Sequence, residues 1–306
     1  MTDSYSSSTI QAEGDRLNIK ITDVRAHKGD SAFLIDSGKA SVLYDSGFAF
    51  TGYKVAENIK NKLNDRPLDY IFLTHSHYDH ALGSVYARRY YPDAKVVAGE
   101  YTSKIFAKDS AKSVMRDLDR KLAKACGVTD YEDLIDELRV DITVKDGDKI
   151  QAGDMLFTVI ALPGHTRCSV GYYLESEKLM LSSETLGVFD GDKTVVPSYL
   201  IGIKETLDSI DKVALLDIEH ILLPHYGLLD KEQTKLYLTA AKKSAQDTFE
   251  EIASLLKKGR SKAECVEYFK EKFYKGYVKA IYPVDAMELN TGITIELIAK
   301  EIGIGL

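Results

Sequence analysis

Residues 73–80 constrain this chain more than any other stretch, because three histidines and an aspartate lie within six residues. An apolar run of strand type leads into the segment, and helical spacing follows it over residues 81–91. His75 and His77 are two residues apart, so both side chains point to the same side of an extended backbone. Burying three imidazoles with Asp79 in a core without a cation would be costly. The segment therefore predicts a water-accessible metal site, whose imidazole and carboxylate ligands suit zinc, iron, manganese or nickel.

Three further apolar runs each lead into a potential metal ligand at the end of a strand. The ligands are His165 after residues 156–160, Glu184 after residues 179–183, and His225 after residues 221–224. Loops at strand ends are where ligand-binding residues concentrate. Together with the ligands of the first segment, namely His75, His77, Asp79 and His80, they form a set large enough for two metal ions that share a carboxylate.

The order of strand and helix patterns predicts a sandwich of two β-sheets with helices on its outer faces. Alternating or β-branched runs predict an antiparallel meander over residues 17–24, 32–36 and 40–44. Further strands are predicted at residues 95–98, 140–144, 155–161, 170–174 and 178–182. Helical spacing covers residues 53–63 and 112–125, the latter ending at Gly127, which is typical of a C-cap.

The composition indicates a globular protein of 306 residues, 44% hydrophobic and 28% charged, with a formal net charge of −7. This acidic balance argues against nucleic-acid or anionic-membrane binding and favours a small-molecule substrate. Three scattered cysteines, Cys126, Cys168 and Cys265, exclude a disulfide framework and a CxxC zinc site. The first residues lack the regions of a signal peptide, so we expect a cytoplasmic protein with a disordered or irregular start over residues 1–16.

The four ligand motifs, HxHxDH, PGHT, the acidic residue after a strand and the histidine before a glycine, follow one another in this order. In that order they resemble the metallo-β-lactamase superfamily, and the resemblance covers residues 17–229. It implies an α+β fold, an αββα sandwich with a dinuclear site at one edge of its two sheets. It further implies that His75, His77 and His165 bind the first metal ion and that Asp79, His80 and His225 bind the second, bridged by Glu184.

Glu184 departs from the family pattern, in which the bridging residue is usually Asp. Glutamate is one methylene longer, yet it can span ions about 3.5 to 4 Å apart, as in common two-metal sites. The loop after His165 also differs, because Arg167 and Cys168 stand where the family commonly has small residues or proline. Arg167 is a candidate contact for an anionic substrate, although arginines on loops are more often solvated or ion-paired.

Two bound cations would lower the pKa of water from 15.7 to roughly 7 and polarise a carbonyl or phosphoryl oxygen. The resulting hydroxide makes hydrolysis the expected chemistry, and no serine or cysteine nucleophile is required. Asp79 would serve as a metal ligand and orient the hydroxide or shuttle its proton, as the resemblance suggests for this position. Asp45 is expected to support a ligand histidine as a hydrogen-bond acceptor.

The remaining histidines and the tyrosines beside ligands have ordinary explanations. His27 lies in a polar turn and is expected to be exposed, whereas His220 begins a strand and is expected at the surface or behind a ligand. Tyr78 and Tyr226 lie next to ligands in the sequence, where lining a substrate pocket and simple packing are equally compatible with the pattern.

Residues 230–306 form a helical extension, with a charged helix over 231–258, a second helix opened by a Ser261–Glu264 capping box, and a last helix over 285–301. The extension resembles the helical tails of glyoxalase II-like and related thioesterase-type members. We expect it to cap the site or to form a homodimer contact; packing against the sandwich is the simpler alternative.

The favoured function is metal-dependent hydrolysis of a small ester, thioester or lactone, with zinc as the expected metal and iron or manganese as alternatives. Phosphodiester or nuclease activity, also found in the superfamily, is the main alternative, and the acidic charge disfavours it. A di-iron redox role is disfavoured because His77 stands where flavodiiron proteins carry Glu. A non-catalytic sensor is a fourth alternative, disfavoured by the complete ligand set.

Overall fold

The computed structural model describes residues 9–10 and 17–306, which form two β-sheets packed face to face. The first sheet contains seven strands in sequential order: β1 (Thr9–Ile10), β2 (Lys20–Asp23), β3 (Phe33–Asp36), β4 (Ser41–Tyr44), β5 (Tyr70–Phe72), β6 (Lys95–Gly99) and β7 (Ile142–Val144). The pairs from β1 to β4 are antiparallel, which confirms the predicted meander, and those from β4 to β7 are parallel. Apart from β1, the predicted irregular start at residues 1–16 lies outside the described residues.

The second sheet has the order β15-β14-β11-β10-β9-β8, and a small two-stranded sheet lies beside it. Its strands are β8 (Lys149–Ala152), β9 (Met155–Ala161), β10 (Val170–Leu174), β11 (Leu179–Leu181), β14 (His220–Leu223) and β15 (Gly227–Leu229). The small sheet pairs β12 (Val188–Phe189) with β13 (Val195–Val196). Strands β9, β11 and β14 run in one direction, so their carboxyl ends lie at the same edge.

Ten helices cover the sheets among the described residues. They are α1 (Gly52–Leu63), α2 (Tyr78–Ala81), α3 (Gly83–Tyr90), α4 (Glu100–Phe106), α5 (Asp109–Ala125), α6 (Ile203–Ala214), α7 (Lys231–Lys257), α8 (Lys262–Phe273), α9 (Gly276–Ile281) and α10 (Val284–Glu301). The predicted helix over residues 81–91 is confirmed for most of its length as α3, although a break at Leu82 assigns Ala81 to α2. At this break the main chain of Gly83 approaches Ser46 so closely that a Cβ would lie 1.8 Å from the Ser46 carbonyl oxygen.

Alternating side chains divide the strands between three buried layers. On β3, Phe33 and Ile35 face the core between the sheets, whereas Leu34 faces the helices outside the first sheet. On β10, Tyr172 lies in the core between the sheets and Tyr173 faces the helices outside the second sheet. Each fully buried side chain of this kind contributes roughly 1.5–3 kcal/mol. The predicted αββα sandwich is confirmed.

The helical extension begins as part of the outer layer and then folds over the edge of the sandwich. The long helix α7 packs Tyr237 and Ala241 against the second sheet. The predicted Ser261–Glu264 capping box is confirmed at the start of α8, and a second one, Asp230 with Gln233, opens α7. Helices α8, α9 and α10 form a separate apolar cluster with the small sheet, which positions the start of α10 beside the ligand-bearing edge.

Candidate metal centre

The seven predicted metal ligands converge at the edge where β5, β9, β11 and β14 end. Six of them lie in two groups, which we name the first group (His75, His77 and His165) and the second group (Asp79, His80 and His225). Within each group the candidate ligand atoms lie within 4.8 Å of one another, and an oxygen of Glu184 lies within the same distance of those of the first group. The division matches the one implied by the family resemblance.

Glu184 lies between the two groups and reaches both. Its Oε2 atom is 3.0 Å from His165 Nε2 and 3.6 Å from His80 Nε2. Its Oε1 atom is 3.4 Å from His225 Nε2. The carboxylate is buried in a short helical turn at the end of β11, whose start is capped by the Ser183 hydroxyl. The longer side chain therefore occupies the position expected of a bridging ligand.

Four of the five histidines direct one ring nitrogen into the centre and bind protein atoms with the other. His80 Nδ1 lies 2.7 Å from Asp45 Oδ2, and His75 Nδ1 lies 3.0 Å from the Thr74 hydroxyl. The remaining outward contacts are His165 Nδ1 with the main-chain oxygen of Ser198 at 2.9 Å and His225 Nδ1 with that of Asp30 at 3.3 Å. Such contacts fix the tautomer and ring orientation of a metal-ligating histidine, as expected for Asp45.

Several inward-facing atoms are left in a condition that suits a cation. Among the described residues, His75 Nε2 and Glu184 Oε1 are buried and have no hydrogen-bond partner. Imidazole nitrogens face each other directly, with His165 Nε2 3.0 Å from His77 Nδ1 and His225 Nε2 3.2 Å from His80 Nε2. Unsatisfied buried polar atoms are costly, and divalent ions would satisfy them. The nitrogen and oxygen donors fit zinc, iron or manganese.

The electrostatics of the first group favour ligands in the deprotonated form. Burial, followed by the neighbouring histidines, lowers the pKa of His75 well below its usual value. Burial and His165 lower the pKa of His77 to about 3. Both rings are therefore neutral at pH 7, with a lone pair available for a metal. Burial opposes ionisation of Glu184, but the surrounding histidines outweigh it and hold the pKa of this carboxyl well below its usual value.

In the second group, carboxylates determine the charge of the histidine. Burial opposes the charged form of His80, yet Asp45 and Asp79 outweigh it and raise the pKa of this imidazole well above its usual value. Burial raises the pKa of the Asp79 carboxyl. The second group thus contains a histidine whose charged form is favoured by two buried carboxylates.

The turn that carries His225 is held in a strained conformation by distant residues. His225 has a φ of +61°, which is uncommon for a residue other than glycine, between β14 and β15. Its main-chain oxygen accepts hydrogen bonds from the Arg25 guanidinium and from the Tyr277 hydroxyl of α9. Arg25 is itself buried and ion-paired with Asp23 at 2.6 Å. The N-terminal sheet and the extension together therefore position one ligand.

The loop that carries His165 is fixed by close packing around Gly164. Gly164 has a φ of +149°, and a Cβ there would lie 2.5 Å from Thr206 Oγ1 and 2.6 Å from Thr185 Cγ2. Its main-chain oxygen accepts hydrogen bonds from the main-chain amides of Leu200 and Ile201, each at 2.9 Å. Glycine is therefore required for this approach.

A cavity of about 370 Å³ opens beside the centre. The residues at the metal-centre end of its lining are Ser76, His77, Asp79 and Glu184. Tyr78 lines the cavity and also packs against the core outside the first sheet, so both alternatives hold for this residue. Arg167 is exposed, and Tyr226 packs edge-on against Phe189 and Tyr277. Neither belongs to the lining of this cavity, and their predicted contacts with substrate stay predictions.

The two other histidines are both more buried than a surface position would leave them. His27 is partly buried rather than exposed, because its ring packs edge-on against Phe48 and Phe50 and its Nδ1 accepts a hydrogen bond from the Gly29 amide. His220 is only 2% exposed, and its Nδ1 contacts the main-chain oxygen of Leu229 at 3.2 Å. It begins β14 as predicted, but it is not a surface residue.

Five residues that support the ligands were not predicted from the sequence: Arg25, Asp30, Thr74, Ser198 and Tyr277. Asp30 has the clearest sequence signal, since it follows a Lys-Gly turn. Its carboxylate accepts hydrogen bonds from the amides of Ala26, His27 and Phe48. Ser198 contributes through its main-chain oxygen, and Arg25 and Tyr277 act from separate elements. No spacing pattern in the sequence marks these contacts.

The family model for the metallo-β-lactamase superfamily matches residues 29–225. The chain belongs to this superfamily. The predicted family is thus confirmed, and membership supports the prediction of an enzyme. The match includes all seven candidate ligands.

Two relatives are similar to this chain at modest sequence identity. A hydroxyacylglutathione hydrolase of Francisella tularensis subsp. holarctica (strain FTNF002-00 / FTA) is 29% identical over 182 residues, covering 58% of this chain and 57% of that protein. The glyoxylase B2 of Dictyostelium discoideum is 29% identical over 136 residues, covering 44% and 39%. The chain therefore matches little more than half the length of the first relative and less of the second.

A solved structure of a metallo-β-lactamase family protein from Thermus thermophilus superposes on almost the whole chain. Its TM-score is 0.62 at 17% identity, covering 97% of this chain and 93% of that one. The similarity shows that the two share a fold. Within residues 9–10 and 17–306, no helix combines the length and apolar character needed to cross a membrane.

Proposed function

We propose that this protein hydrolyses a small ester, thioester or lactone with the help of two bound divalent metal ions. Zinc is the expected metal, and iron or manganese are the alternatives. The observation that carries the proposal is the position of Glu184, whose two oxygens reach the first and second groups respectively. The first ion would be held by His75, His77 and His165, and the second by Asp79, His80 and His225.

The bound ions would supply an activated water and polarise the scissile carbonyl. The protein residues would then bind the substrate and move its protons. Asp79 lines the cavity and lies 3.6 Å from His225 Nε2, so its carboxylate faces both the second group and the substrate. In this position it would orient the water, accept its proton at a carboxylate oxygen and transfer that proton to the leaving group.

Two observations favour carbonyl substrates over phosphodiesters. Relatives named hydroxyacylglutathione hydrolase act, by that name, on an acylated glutathione, and one of them is 29% identical to this chain over 182 residues. In the part of the chain that the structure describes, the cavity lining contains no lysine or arginine to bind a phosphate. A small-molecule substrate without nucleic-acid or membrane binding remains our proposal for its partners, as do a homodimer contact and a cytoplasmic location.

Metal content and activity of freshly purified protein test the proposal together. We expect about two equivalents of metal per chain and hydrolysis of at least one ester, thioester or lactone in a panel that also contains cyclic nucleotides and RNA. His77→Ala removes a ligand and should lose metal and activity together, whereas Arg167→Ala should retain metal. Full activity in His77→Ala, or cleavage of the nucleotides alone, would overturn the proposal.

The bridging role of Glu184 has its own test in Glu184→Asp. If the glutamate spans two ions, the wild type holds two equivalents of metal per chain and the aspartate variant holds no more than that. If the wild type holds one equivalent and the aspartate variant holds two, the longer side chain has displaced the second ion, and catalysis would depend on a single ion.

A further inference from the structure

Two helices present apolar stripes of the same spacing to the cavity beside the metal centre. On α5 the lining residues are Ala111, Val114, Met115 and Leu118; on α10 they are Ala286, Leu289, Asn290 and Ile293. Both sets follow the pattern i, i+3, i+4, i+7, which places the side chains on one face of a helix. Only Asn290 among them is polar. The cavity thus has two long walls that are almost entirely hydrocarbon.

These stripes leave apolar side chains in contact with solvent. Val114 is 59% exposed and Leu289 is 56% exposed, although both lie in well-formed helices. A single exposed leucine needs no explanation, because most proteins have several. Here the exposed side chains lie on the walls of one cavity, which ends at the candidate metal centre. A contiguous apolar surface with a few polar groups at one end is typical of a small-molecule site.

The charge distribution limits which ligand can fill the cavity. Its ionisable side chains are His77, Asp79 and Glu184, all of them candidate metal ligands, together with the weakly acidic hydroxyls of Tyr78 and Tyr282. Lys121 lies one turn beyond Leu118 on α5, but it is ion-paired with Asp285 at the start of α10. A ligand with a carboxylate far from its reacting bond would place that charge among mainly hydrocarbon side chains with no lysine or arginine in the lining, and taking a carboxylate out of water without a partner is costly.

We infer that the substrate has an uncharged acyl chain, which lies between α5 and α10 with its carbonyl carbon toward Asp79 and Glu184. This inference rests on the proposed function and specifies its substrate class. Hydrolysis breaks the bond between the carbonyl carbon and the leaving sulfur or oxygen, and water supplies the hydroxyl of the released acid and the proton of the leaving group. Burial of each additional methylene corresponds to about fourfold in affinity, so longer chains should be preferred.

The first test compares three thioesters of N-acetylcysteamine: acetyl, octanoyl, and an octanoyl chain whose far end carries a carboxylate. With the metal-loaded enzyme we expect kcat/KM for octanoyl to exceed that for acetyl at least tenfold. The carboxylate-ended chain has the same length and should be at least tenfold poorer than octanoyl. Equal rates for all three would overturn the inference and leave the proposed hydrolase function standing.

The second test places a charge on the cavity wall. Leu289→Glu should lower kcat/KM for octanoyl at least tenfold and change the acetyl value little, whereas Leu289→Met should retain the preference. Leu236→Glu is the matched control, because Leu236 is an exposed leucine of α7, 71% exposed, and is not among the cavity residues. If Leu236→Glu and Leu289→Glu act alike, the effect is not that of the cavity, and the inference is wrong.

A binding measurement separates failure of this inference from failure of the proposed function. The octanoyl amide analogue, in which nitrogen replaces the reacting sulfur, should bind the wild type with a negative heat-capacity change and bind Leu289→Glu at least tenfold more weakly. Such binding without hydrolysis of any ester, thioester or lactone would support the acyl cavity and refute the hydrolase proposal. Absence of the binding difference would refute the acyl cavity.

Discussion

The two ligand groups differ in what holds them in place. In the first group, His75 contacts the Thr74 hydroxyl, His165 contacts the main-chain oxygen of Ser198, and His77 lines the cavity. In the second group, His80 is bound to the buried carboxylate of Asp45, and the turn of His225 is held by Arg25 and by the Tyr277 hydroxyl. Each group has one ligand in the cavity lining, His77 in the first and Asp79 in the second, but only the second is anchored by a buried carboxylate outside the ligand set and by distant elements.

The two groups therefore differ in how far their geometry depends on charge. The first group depends on neutral hydrogen bonds to His75 and His165. Charged and buried contacts suit a position whose geometry must persist while substrates exchange. Changes to the supporting residues, rather than to the ligands, should therefore affect the two groups unequally.

The largest effect is expected for Arg25→Ala, which removes an anchor of the second group. Arg25 and Asp23 are buried, with side-chain exposures of 4% and 8%, so the substitution leaves Asp23 as an uncompensated charge. We expect a loss of about 3–5 kcal/mol of unfolding free energy in urea titrations. The control Arg66→Ala breaks a more exposed pair with Asp36 and should cost about 0–1 kcal/mol. Similar losses of unfolding free energy in both variants would show that the buried pair contributes no more than the more exposed one.

A matched pair, Asp45→Asn and Ser198→Ala, compares the two groups directly. Asparagine cannot supply the negative charge beside His80, so affinity for the second ion should fall about 10–100-fold. Ser198→Ala removes a hydroxyl 2.9 Å from His165 Nδ1, but the main-chain oxygen at the same distance remains. Its effect should therefore be small. Competition with a zinc chelator measures both, and equal losses would show that charge does not anchor the second group.

The smallest effect is expected for Tyr277→Phe, which removes one of the two hydrogen bonds to the His225 oxygen. The cost should be about 1 kcal/mol in unfolding free energy. Tyr274→Phe is the control, because the Tyr274 hydroxyl donates to the Tyr282 main-chain oxygen within the same extension. Both variants should lose similar stability, yet only Tyr277→Phe should weaken binding of the second ion. Weaker binding of the second ion in both variants would assign the effect to the extension as a whole.

Much of the fold was predictable from periodicity, and the exceptions have physical reasons. Strand β9 matches its prediction residue for residue, because seven consecutive residues have strand character between clear breaks. Strand β15 was missed because it is only three residues long and follows its partner after a tight turn. The short strands β12 and β13 have two residues each, too few for any alternation to show.

The candidate ligands were predictable because each follows an apolar strand and because histidine is rare in this chain. The residues that support the ligands were mostly not predictable. The exception is Asp45, which directly follows β4. Arg25 is separated from His225 by 200 residues, and its guanidinium contacts a main-chain oxygen, so no residue type marks the contact. The apolar stripes on α5 and α10 had the periodicity of ordinary core helices, and only the fold shows that they face a cavity.

Tyr282, in the link between α9 and α10, lines the cavity and also packs edge-on against His225 at a ring-centroid distance of 5.6 Å. One side chain thus touches both the substrate space and a candidate ligand. A chimera that received its extension from a relative would inherit a new acyl preference and, in the same exchange, a different environment for the metal. Directed evolution of substrate range in this scaffold should therefore select compensating changes around His225.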